Sequence, residues 1–453
     1  MNGQRVVITG MGWVTPLGTD LGGVWSRLIA GECAIAPVTR YNARSFATNF
    51  AAQADIPSLD GVLYNAADHA VAQPHSVFAL HAAAHAWKQA GLGDPSSRGA
   101  LLDPASGLDP ERIGVYLGSG EGVPDLDHLA QANIESWAGD RRAVDDAKWA
   151  ERALALLTRH KEMEQEPNVA VRRIAQTFGA IGPALNCMTA CAASTQSVGE
   201  ATAIIRRGDA DVMIAGGTHS MIHPLGMTGF IRLTAMSTRC DDPQTAARPF
   251  DATRDGFVMG EGAGIVILES LESAMRRGAT PLAEVAGFGS SADAYRITDI
   301  QPEGIGAQAA IRQALTMAGL KPDQVDENGR PVVHYISAHG TGTKENDSIE
   351  SRAVRGVFGD LAPKIPFSSV KSMMGHLIQA AGTVELMTCI KAIETGKVPP
   401  TINLRTPDPV CDLDYVPNES RDYSEMGGIE TALSNGFGFG GQNNTLLVRR
   451  FRA

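Results

Sequence analysis

Short apolar runs, several of them ending at a glycine, alternate along this chain with longer segments of helical periodicity. Examples are RVVITGMG (5–12), RIGVYLGSG (112–120) and DADVMIAGG (209–217). Strands that alternate with helices tend to pair in parallel, and strands buried on both faces are apolar throughout. The pattern therefore predicts an α/β protein built from βαβ units around a mostly parallel, buried sheet.

The alternating pattern restarts near residue 283. The segment PLAEVAGFGSSADA (281–294) weakly echoes the opening strand. We therefore predict two similar halves, residues 1–282 and 283–453, that share one continuous core. Further strands of the second half are predicted at 332–340, 365–370 and 430–438.

A highly charged stretch, residues 134–166, interrupts the first half. Trp149, Ala153, Leu156 and Leu157 share one helical face, which predicts an amphipathic surface helix. The stretch is expected either to dock on the body as a solvated insertion or to act as a regulatory or partner-binding lid.

Composition excludes several classes of protein. The 453 residues contain 50 acidic and 39 basic side chains, a net charge of −11, which argues against a protein that wraps duplex nucleic acid. No apolar run reaches the roughly 18–20 residues that cross a bilayer, and the N-terminus lacks a signal-peptide pattern. Six cysteines are too few for a disulfide scaffold of this length. We expect a cytoplasmic protein with no nucleic-acid or membrane partner.

The first candidate reactive residue is Cys191 in NCMTACAASTQ (186–196), directly after a predicted strand and at the start of a helix. Helix N-termini carry a partial positive charge and unpaired N–H groups, which stabilise a thiolate and can receive an oxyanion. The alternative is a small buried side chain, as most free cysteines are. Cys187, inside the strand, is predicted to belong to the core.

Two further segments place polar residues at strand ends. SAHGTGT (337–343) puts His339 after a predicted strand, where α/β proteins carry reacting groups, although a turn histidine bonded to backbone remains an alternative. SVKSMMGHLIQAAGTVE (369–385) brings Lys371, His376 and Glu385 to a strand-to-helix junction. A lysine between a buried strand and a buried helix is not expected to be a free surface charge.

A glycine-rich run, GFGFGG, lies within SNGFGFGGQNN (434–444). It suits a backbone that approaches a ligand closely, with phenyl rings that can cover it, or else a plain turn. No metal site is predicted: His81 and His85 lie four apart on a helix, but no third ligand accompanies them, so they are interpreted as core or interface residues.

Taken in this order and at these distances, the segments resemble the elongating β-ketoacyl-acyl-carrier-protein synthases. These are the thiolase-fold condensing enzymes of fatty-acid and polyketide synthesis. The likeness covers essentially the whole chain and includes RVVITGMGWVTPLG (5–18), RPFDATRDGFVMGEGAG (248–264) and VPPTINL (398–404). It implies a thiolate-bearing site in a thiolase-like fold, with two βαβ halves packed as a layered αβαβα core.

The resemblance also implies roles for the candidate residues. Cys191 matches the acylated nucleophile, and His339 and His376 match the active-site histidines. Lys371 and Glu385 match the buried pair that supports those histidines, and such a pair could fix the imidazole tautomers.

Further positions match residues that contact substrate in the family. Phe437 matches the gating phenylalanine, whose backbone N–H would join that of Cys191 in the oxyanion hole. The wider set of expected substrate-binding residues is Thr341 and Thr343 on the pantetheine side, Glu121 and Phe230 on the acyl side, and Phe439.

The implied reaction is a decarboxylative Claisen condensation. An acyl chain moves onto the cysteine, malonyl-acyl-carrier protein loses CO2, and a 3-oxoacyl-carrier protein two carbons longer is formed. The expected partner is acyl carrier protein, the expected assembly is a homodimer, and no cofactor is expected beyond the carrier's phosphopantetheine. A non-catalytic, chain-length-factor-like subunit and a cysteine hydrolase are the alternatives.

Two features depart from the family pattern or qualify it. Glu121 (in GSGEGV, 118–123) stands where the family usually has an aliphatic residue beside the acyl tunnel. A buried carboxylate there is costly, so either the tunnel is shorter or more polar, or Glu121 turns away. Because carriers are generally acidic, a local basic patch is predicted at Arg232, with Arg172 and Arg173 as weaker candidates.

Overall fold

The computed structural model describes residues 4–297 and 299–453. Its strands are β1 (Val6–Val14), β2 (Ala36–Pro37), β3 (Phe50–Ala51), β4 (Ile113–Gly118), β5 (Trp137–Ala138), β6 (Ala143–Val144), β7 (Ala184–Cys187), β8 (Val212–His219), β9 (Gly262–Ser270), β10 (Ala283–Ala292), β11 (Tyr335–Ser337), β12 (Phe367–Ser368), β13 (Lys397–Val398), β14 (Arg421–Asp422), β15 (Thr431–Gly438) and β16 (Gln442–Arg449).

The α-helices are α1 (Leu21–Ile29), α2 (Pro74–Gln89), α3 (Leu126–Glu135), α4 (Asp146–Leu156), α5 (Arg159–Met163), α6 (Val169–Phe178), α7 (Ala193–Arg207), α8 (Pro224–Arg232), α9 (Leu271–Arg276), α10 (Ile305–Met317), α11 (Lys344–Phe358), α12 (Lys371–Met374) and α13 (Ala381–Thr395). Among the helices of the described residues, none combines the length and apolar character that crossing a bilayer requires.

Ten strands form one sheet in the order β12-β11-β15-β16-β10-β1-β9-β8-β4-β7. Each half contributes five neighbouring strands, and each half has the same order: third, second, fourth, fifth, first. The halves meet where β1 pairs antiparallel with β10. This repetition confirms the two similar halves.

The prediction of a mostly parallel sheet is wrong. In each half the second strand pairs in parallel with the third and fourth strands, but the fifth strand runs antiparallel to both of its neighbours. The last strand of each half returns antiparallel to the fourth strand, so the sheet is mixed. The apolar composition of the strands correctly predicted that both faces of the sheet are buried. Burial alone does not determine the direction in which a strand runs.

Helices cover the sheet in three layers. Helices α7 and α13 pack between the two halves of the sheet and contact strands of both. On the outer faces, α2 and α6 cover the first half, whereas α10 and α11 cover the second. The layered αβαβα core is therefore confirmed. The loops after β7, β11 and β12 carry the candidate reactive residues of both halves.

The charged insertion contains α4 and α5 and begins at the end of α3. Ala153 is buried and Trp149 half-buried, in agreement with the predicted amphipathic face. Glu164 is buried, forms an ion pair with Arg173 of α6, and accepts the backbone N–H of Gln73 at 3.2 Å. This contact docks the end of the insertion on the body. It also rules out Arg173 as a carrier-binding residue, because its guanidinium is buried in that pair.

Candidate active site

Cys191 lies in a single 3₁₀ turn, Ala190–Ala192, between β7 and the first residue of α7. Ala190 has φ +48°, a left-handed conformation that is uncommon for a residue with a side chain. Such backbone conformations occur at functional sites because the surrounding structure holds them in place. The turn buries the thiol in front of the helix N-terminus.

Two backbone N–H groups face the sulfur of Cys191 and favour its ionised form: its own and that of Phe439. The loop carrying Phe439 comes this close because residue 438 is glycine. A Cβ on Gly438 would lie 2.9 Å from the carbonyl oxygen of Thr189 and 3.3 Å from the nitrogen of Cys191. The two donors lie where an oxyanion would form during attack on an acyl group.

The second donor is therefore not at Phe437, where the resemblance placed it. Phe437 belongs to β15, where it pairs with Asn443, and its ring packs with Ala307 and Ala353. The strand ends at Gly438, so the next residue, Phe439, is the one that turns toward the sulfur. Phe439 is half-buried and lines all three cavities that surround the cysteine, which makes it the better candidate for a gate.

Burial raises the pKa of Cys191 to about 12, although the positive charge of Lys371 and the two N–H groups favour the thiolate. The sequence predicted a thiolate stabilised by the helix start. The structure places the sulfur too deep for that, because desolvation outweighs the favourable groups. In the resting protein Cys191 is a thiol that ionises only as it reacts.

We predict that alkylation of Cys191 by iodoacetamide accelerates about tenfold per pH unit from pH 7 to pH 10. The reason is that only the thiolate reacts and its fraction keeps rising below the pKa. Peptide mass spectrometry measures the rate, with the exposed Cys240 as an accessible reference in the same sample. A plateau at or below pH 8 would show that the thiol ionises near neutrality, against the structure.

His339 and His376 face the same space as Cys191. One ring nitrogen of each histidine and the sulfur lie within 4.8 Å of one another, and the two ring centres are 5.4 Å apart with the rings nearly perpendicular. Both imidazoles are buried, and burial, together with the charge of Lys371, holds the pKa of each well below its usual value. Both histidines are therefore neutral at physiological pH.

The backbone determines the tautomer of His376. Its Nδ1 accepts the N–H of Ile378 at 3.3 Å, so the ring proton resides on Nε2. That Nε2 is buried and has no hydrogen-bond partner among the described residues. The sequence assigned this orienting role to Lys371 and Glu385, whereas for His376 the amide of Ile378 performs it. The free Nε2–H is a donor available to a substrate oxygen.

His339 is held by a residue that sequence reasoning missed. The carboxylate of Glu350 accepts the backbone N–H groups of His339 and Gly340 at 2.9 and 2.8 Å, and the side-chain amide of Asn435 at 3.1 Å. Burial raises the pKa of Glu350 to about 7 in spite of these bonds. The sequence did offer a signal for Glu350: this acidic residue lies on the apolar face of α11, at helical spacing from Ala353, Val354 and Val357.

Lys371 and Glu385 form a buried ion pair beside the histidines. Burial raises the pKa of Glu385 to about 7, and the neighbouring ammonium opposes this shift. The charge of Lys371 lowers the pKa of Cys191 and of both histidines. The pair thus acts on the reacting groups through its electric field.

The chamber at Cys191 connects two larger spaces. On one side a cavity of about 390 Å³ opens to the surface, and Thr343 lines both this cavity and the chamber. Thr341 lines the chamber, and its hydroxyl lies 3.0 Å from that of Thr343. On the other side a cavity of about 700 Å³ contains the predicted residues Phe230 and Glu121. We call this second space the acyl cavity.

Glu121 lines the acyl cavity and is exposed to solvent. Its carboxylate therefore avoids the desolvation that made the position unexpected. The insertion and the helix before it also contribute to this wall, through Gln165 and Leu129.

The comparisons with known proteins agree over the whole length. Residues 3–274 match the profile of the Beta-ketoacyl synthase N-terminal domain, and residues 282–405 match that of the C-terminal domain. The chain is 39% identical to "3-oxoacyl-[acyl-carrier-protein] synthase 2" of Coxiella burnetii and 40% identical to its namesake in Synechocystis, with 99% of both chains covered in each case.

Solved structures agree as well. A β-ketoacyl synthase from Burkholderia phymatum superposes with a TM-score of 0.81 at 31% identity, covering 99% of this chain and all of the other. The ketosynthase of a type II polyketide complex, AntDE:AntF, whose structure includes its acyl-carrier protein, gives 0.81 at 32% identity with the same coverage.

The two halves of the repeated fold bring together a nucleophile and two neutral hydrogen-bond donors. An acyl-transferring condensing enzyme requires these groups. With the family profiles matching both halves, the chain belongs to the β-ketoacyl synthase family. The resemblance drawn from the motifs is thereby confirmed, and so are the enzyme class and the elongating condensation.

Proposed function

We propose that this enzyme lengthens acyl chains carried on acyl carrier protein by condensing them with malonyl-acyl-carrier protein. The product is a 3-oxoacyl-carrier protein two carbons longer. The observation that carries the proposal is the convergence of Cys191, His339 and His376 within 4.8 Å. The names of the relatives in Coxiella and Synechocystis support the carrier as substrate.

In the first half-reaction Cys191 takes the acyl group. Its sulfur attacks the thioester carbonyl of the acyl carrier, and the oxyanion of the tetrahedral intermediate lies against the N–H groups of Cys191 and Phe439. The carbon–sulfur bond to the carrier then breaks, and the proton lost by the Cys191 thiol ends on the departing carrier thiol. A thiol suits this step because it is both a good nucleophile and a good leaving group.

In the second half-reaction the malonyl thioester loses CO2. The electron pair of the broken carbon–carbon bond moves into an enolate, whose oxygen gains negative charge. The Nε2–H of His376 and the neighbouring His339 donate to that oxygen. The enolate carbon attacks the acyl group on Cys191, the bond from the acyl carbon to the sulfur breaks, and the cysteine leaves as a thiolate that takes up a proton from solvent.

This reaction needs no cofactor beyond the phosphopantetheine of the carrier, because each charge that develops has a donor in the chamber. The alternatives fit less well. A silent partner subunit has no use for a reactive cysteine with two poised histidines. A cysteine hydrolase needs a base for water, whereas both histidines are buried together with the Lys371–Glu385 pair and are difficult to protonate.

Product analysis separates the three functions. The enzyme is incubated with octanoyl-acyl-carrier protein and malonyl-acyl-carrier protein, and the carrier-bound products are read by mass spectrometry. Condensation gives a 3-oxodecanoyl carrier and CO2. Free octanoate would indicate a hydrolase, and no turnover would indicate a silent subunit; either outcome would contradict the proposal.

Arg232 is proposed to contact the acidic carrier. It is exposed in the last turn of α8, next to Leu233 and Thr234, which line the surface cavity. Lys344 lines the same cavity beside the carboxylates of Asp255, Asp299 and Glu345, so the positive charge offered to the carrier is that of Arg232 and its immediate surroundings. Local charge of this kind can attract an acidic partner even though the chain as a whole is acidic. We also propose that the enzyme works in the cytoplasm.

The enzyme is further proposed to be a homodimer. Strand β7 forms one of the two edges of the sheet and pairs only with β4 among the described residues. Apolar side chains flank this open edge: Ile181, Leu185 and Met188 are 70%, 43% and 56% exposed. An unpaired edge with exposed apolar residues is a template for pairing with another chain. A second copy of β7 fits it by symmetry.

We predict that Leu185→Glu converts the dimer to a monomer, because a carboxylate would have to be buried at the strand edge. Size-exclusion chromatography with light scattering measures the mass. Met275→Lys, on the exposed surface of α9, is the matched control and should leave a dimer. A wild-type monomer, or a Leu185→Glu variant that still dimerises, would contradict the proposed interface.

A further inference from the structure

The acyl cavity has a polar wall that the condensation does not use. Its lining includes Cys191 at one end and five side chains with hydrogen-bonding groups: Glu121, Gln165, His219, His223 and Gln379. A plain alkyl chain offers no partner to any of them. The polar groups of the wall are therefore expected to affect which acyl chains the cavity binds.

Three of these side chains are buried: His219, His223 and Gln379, with 6%, 7% and 7% exposure. Burial lowers the pKa of His219 to about 3, so the ring is neutral. Its Nδ1 lies 3.4 Å from Oε1 of Gln379, an atom that can only accept, so Nδ1 holds the proton. The other nitrogen, Nε2, is then an acceptor.

That acceptor has no partner. Nε2 of His219 is buried and makes no hydrogen bond within residues 4–297 and 299–453. Buried polar atoms are nearly always paired, and an unpaired one destabilises the protein. An orphan acceptor in a residue that lines a substrate cavity is explained if the substrate supplies the donor.

A glycine in the neighbouring loop allows Gln379 to lie beside His219. Gly120 lies against the amide of Gln379, and a Cβ at residue 120 would come within 2.3 Å of the amide nitrogen. The backbone of β8 fixes His219, the last residue of that strand. The pair is thus built into the wall by the packing of three elements.

We propose that the enzyme selects acyl chains that carry a hydroxyl group, which donates to Nε2 of His219. This proposal rests on the proposed condensation and specifies the substrate of the same site. The hydroxyl oxygen keeps its lone pairs when its hydrogen is donated. A site built to hydrogen-bond a substrate hydroxyl discriminates strongly against the analogue that lacks it.

The test compares acyl-carrier substrates of one chain length, unsubstituted or with a single hydroxyl at carbon 3, 5 or 7. Single-turnover transfer to Cys191 is followed by intact-protein mass spectrometry. We expect at least one hydroxylated chain to be transferred about tenfold or more faster than the alkyl chain. Equal rates, or preference for the alkyl chain at every position, would overturn the proposal.

Variants identify the side chains responsible. His219→Phe should abolish the preference, measured as the ratio of the transfer rates of the hydroxylated and the alkyl chain. Gln379→Met keeps the shape of Gln379 but removes Oε1, so it should reduce the preference even if the first variant folds poorly. Met221→Leu, an apolar change in the same wall, is the control and should keep the wild-type ratio. An unchanged ratio in both His219→Phe and Gln379→Met would mean that water pairs with Nε2, against the proposal.

Failure of the condensation and failure of the selection for hydroxylated chains give different results. If no chain is elongated or transferred, the condensation itself is refuted. If alkyl chains are transferred and elongated as well as hydroxylated ones, only the selection is refuted.

Discussion

Replacing Cys191 by serine should lower the rate of condensation by at least about 10³-fold and remove the covalent acyl adduct. An alcohol is a far weaker nucleophile than a thiol, and no side chain in the chamber is a ready base for it, because both histidines resist protonation. Intact-protein mass spectrometry after mixing with acyl-carrier protein measures the adduct, and product formation measures condensation.

Two controls accompany this variant. Cys187→Ser changes the buried cysteine at the end of β7, whose thiol donates to the carbonyl of Ala193 at 3.2 Å, a bond that serine can also make. It should keep activity within a few-fold of wild type. Cys191→Ser itself should still decarboxylate malonyl-carrier protein, because that step uses only the histidines. Full condensation activity in Cys191→Ser would refute the assignment of the nucleophile.

Replacing His376 by alanine should lower decarboxylation and condensation by about 10²–10³-fold, the effect of losing one donor to a developing oxyanion. Acyl transfer to Cys191 should change by less than tenfold, because its oxyanion lies against backbone N–H groups. We expect the same division for His339→Ala. Separate assays of acyl-adduct formation and of CO2 release from malonyl-carrier protein measure the two steps.

The wild-type rate of decarboxylation should show no step from either histidine between pH 6 and pH 8, so any change in this range reports the carboxyl groups of Glu350 and Glu385, whose pKa burial raises to about 7. The pKa of each histidine lies well below its usual value, so both donors stay neutral over this range and lose that form only as the pH falls further. His85→Ala, an exposed histidine on α2, is the control and should leave both steps unchanged. Equal loss of transfer and decarboxylation in His376→Ala would mean that the residue supports the fold instead.

Local sequence patterns predicted the positions of the reacting residues well. Cys191 does precede a buried helix, and His339 does follow a buried strand, because strand and helix ends are encoded by nearby residues. The Gly-Phe run does approach the cysteine. The sequence could not show which phenylalanine of the run turns toward the cysteine, because the choice between Phe437 and Phe439 depends on where β15 ends.

Properties that depend on how deeply a side chain is buried, or on contacts between distant segments, were harder to predict. The helix start suggested a stabilised thiolate at Cys191, but the burial that raises its pKa comes from distant segments that close over it. The support of His339 by Glu350 joins two elements across the fold. The orphan nitrogen of His219 follows from a contact with Gln379, which lies 160 residues away in sequence. None of these long-range contacts produces a periodic pattern in the amino-acid sequence.

The most direct test of the central claim uses the isolated acyl-enzyme. Wild-type protein is first acylated, freed of excess substrate, and mixed with malonyl-carrier protein labelled with ¹³C in its free carboxyl group. We predict that the acyl group leaves the Cys191 peptide as labelled CO2 appears, one for one, while the carrier gains the lengthened chain. Labelled CO2 released with the acyl group still on Cys191, or an acyl group found on another residue, would contradict the account.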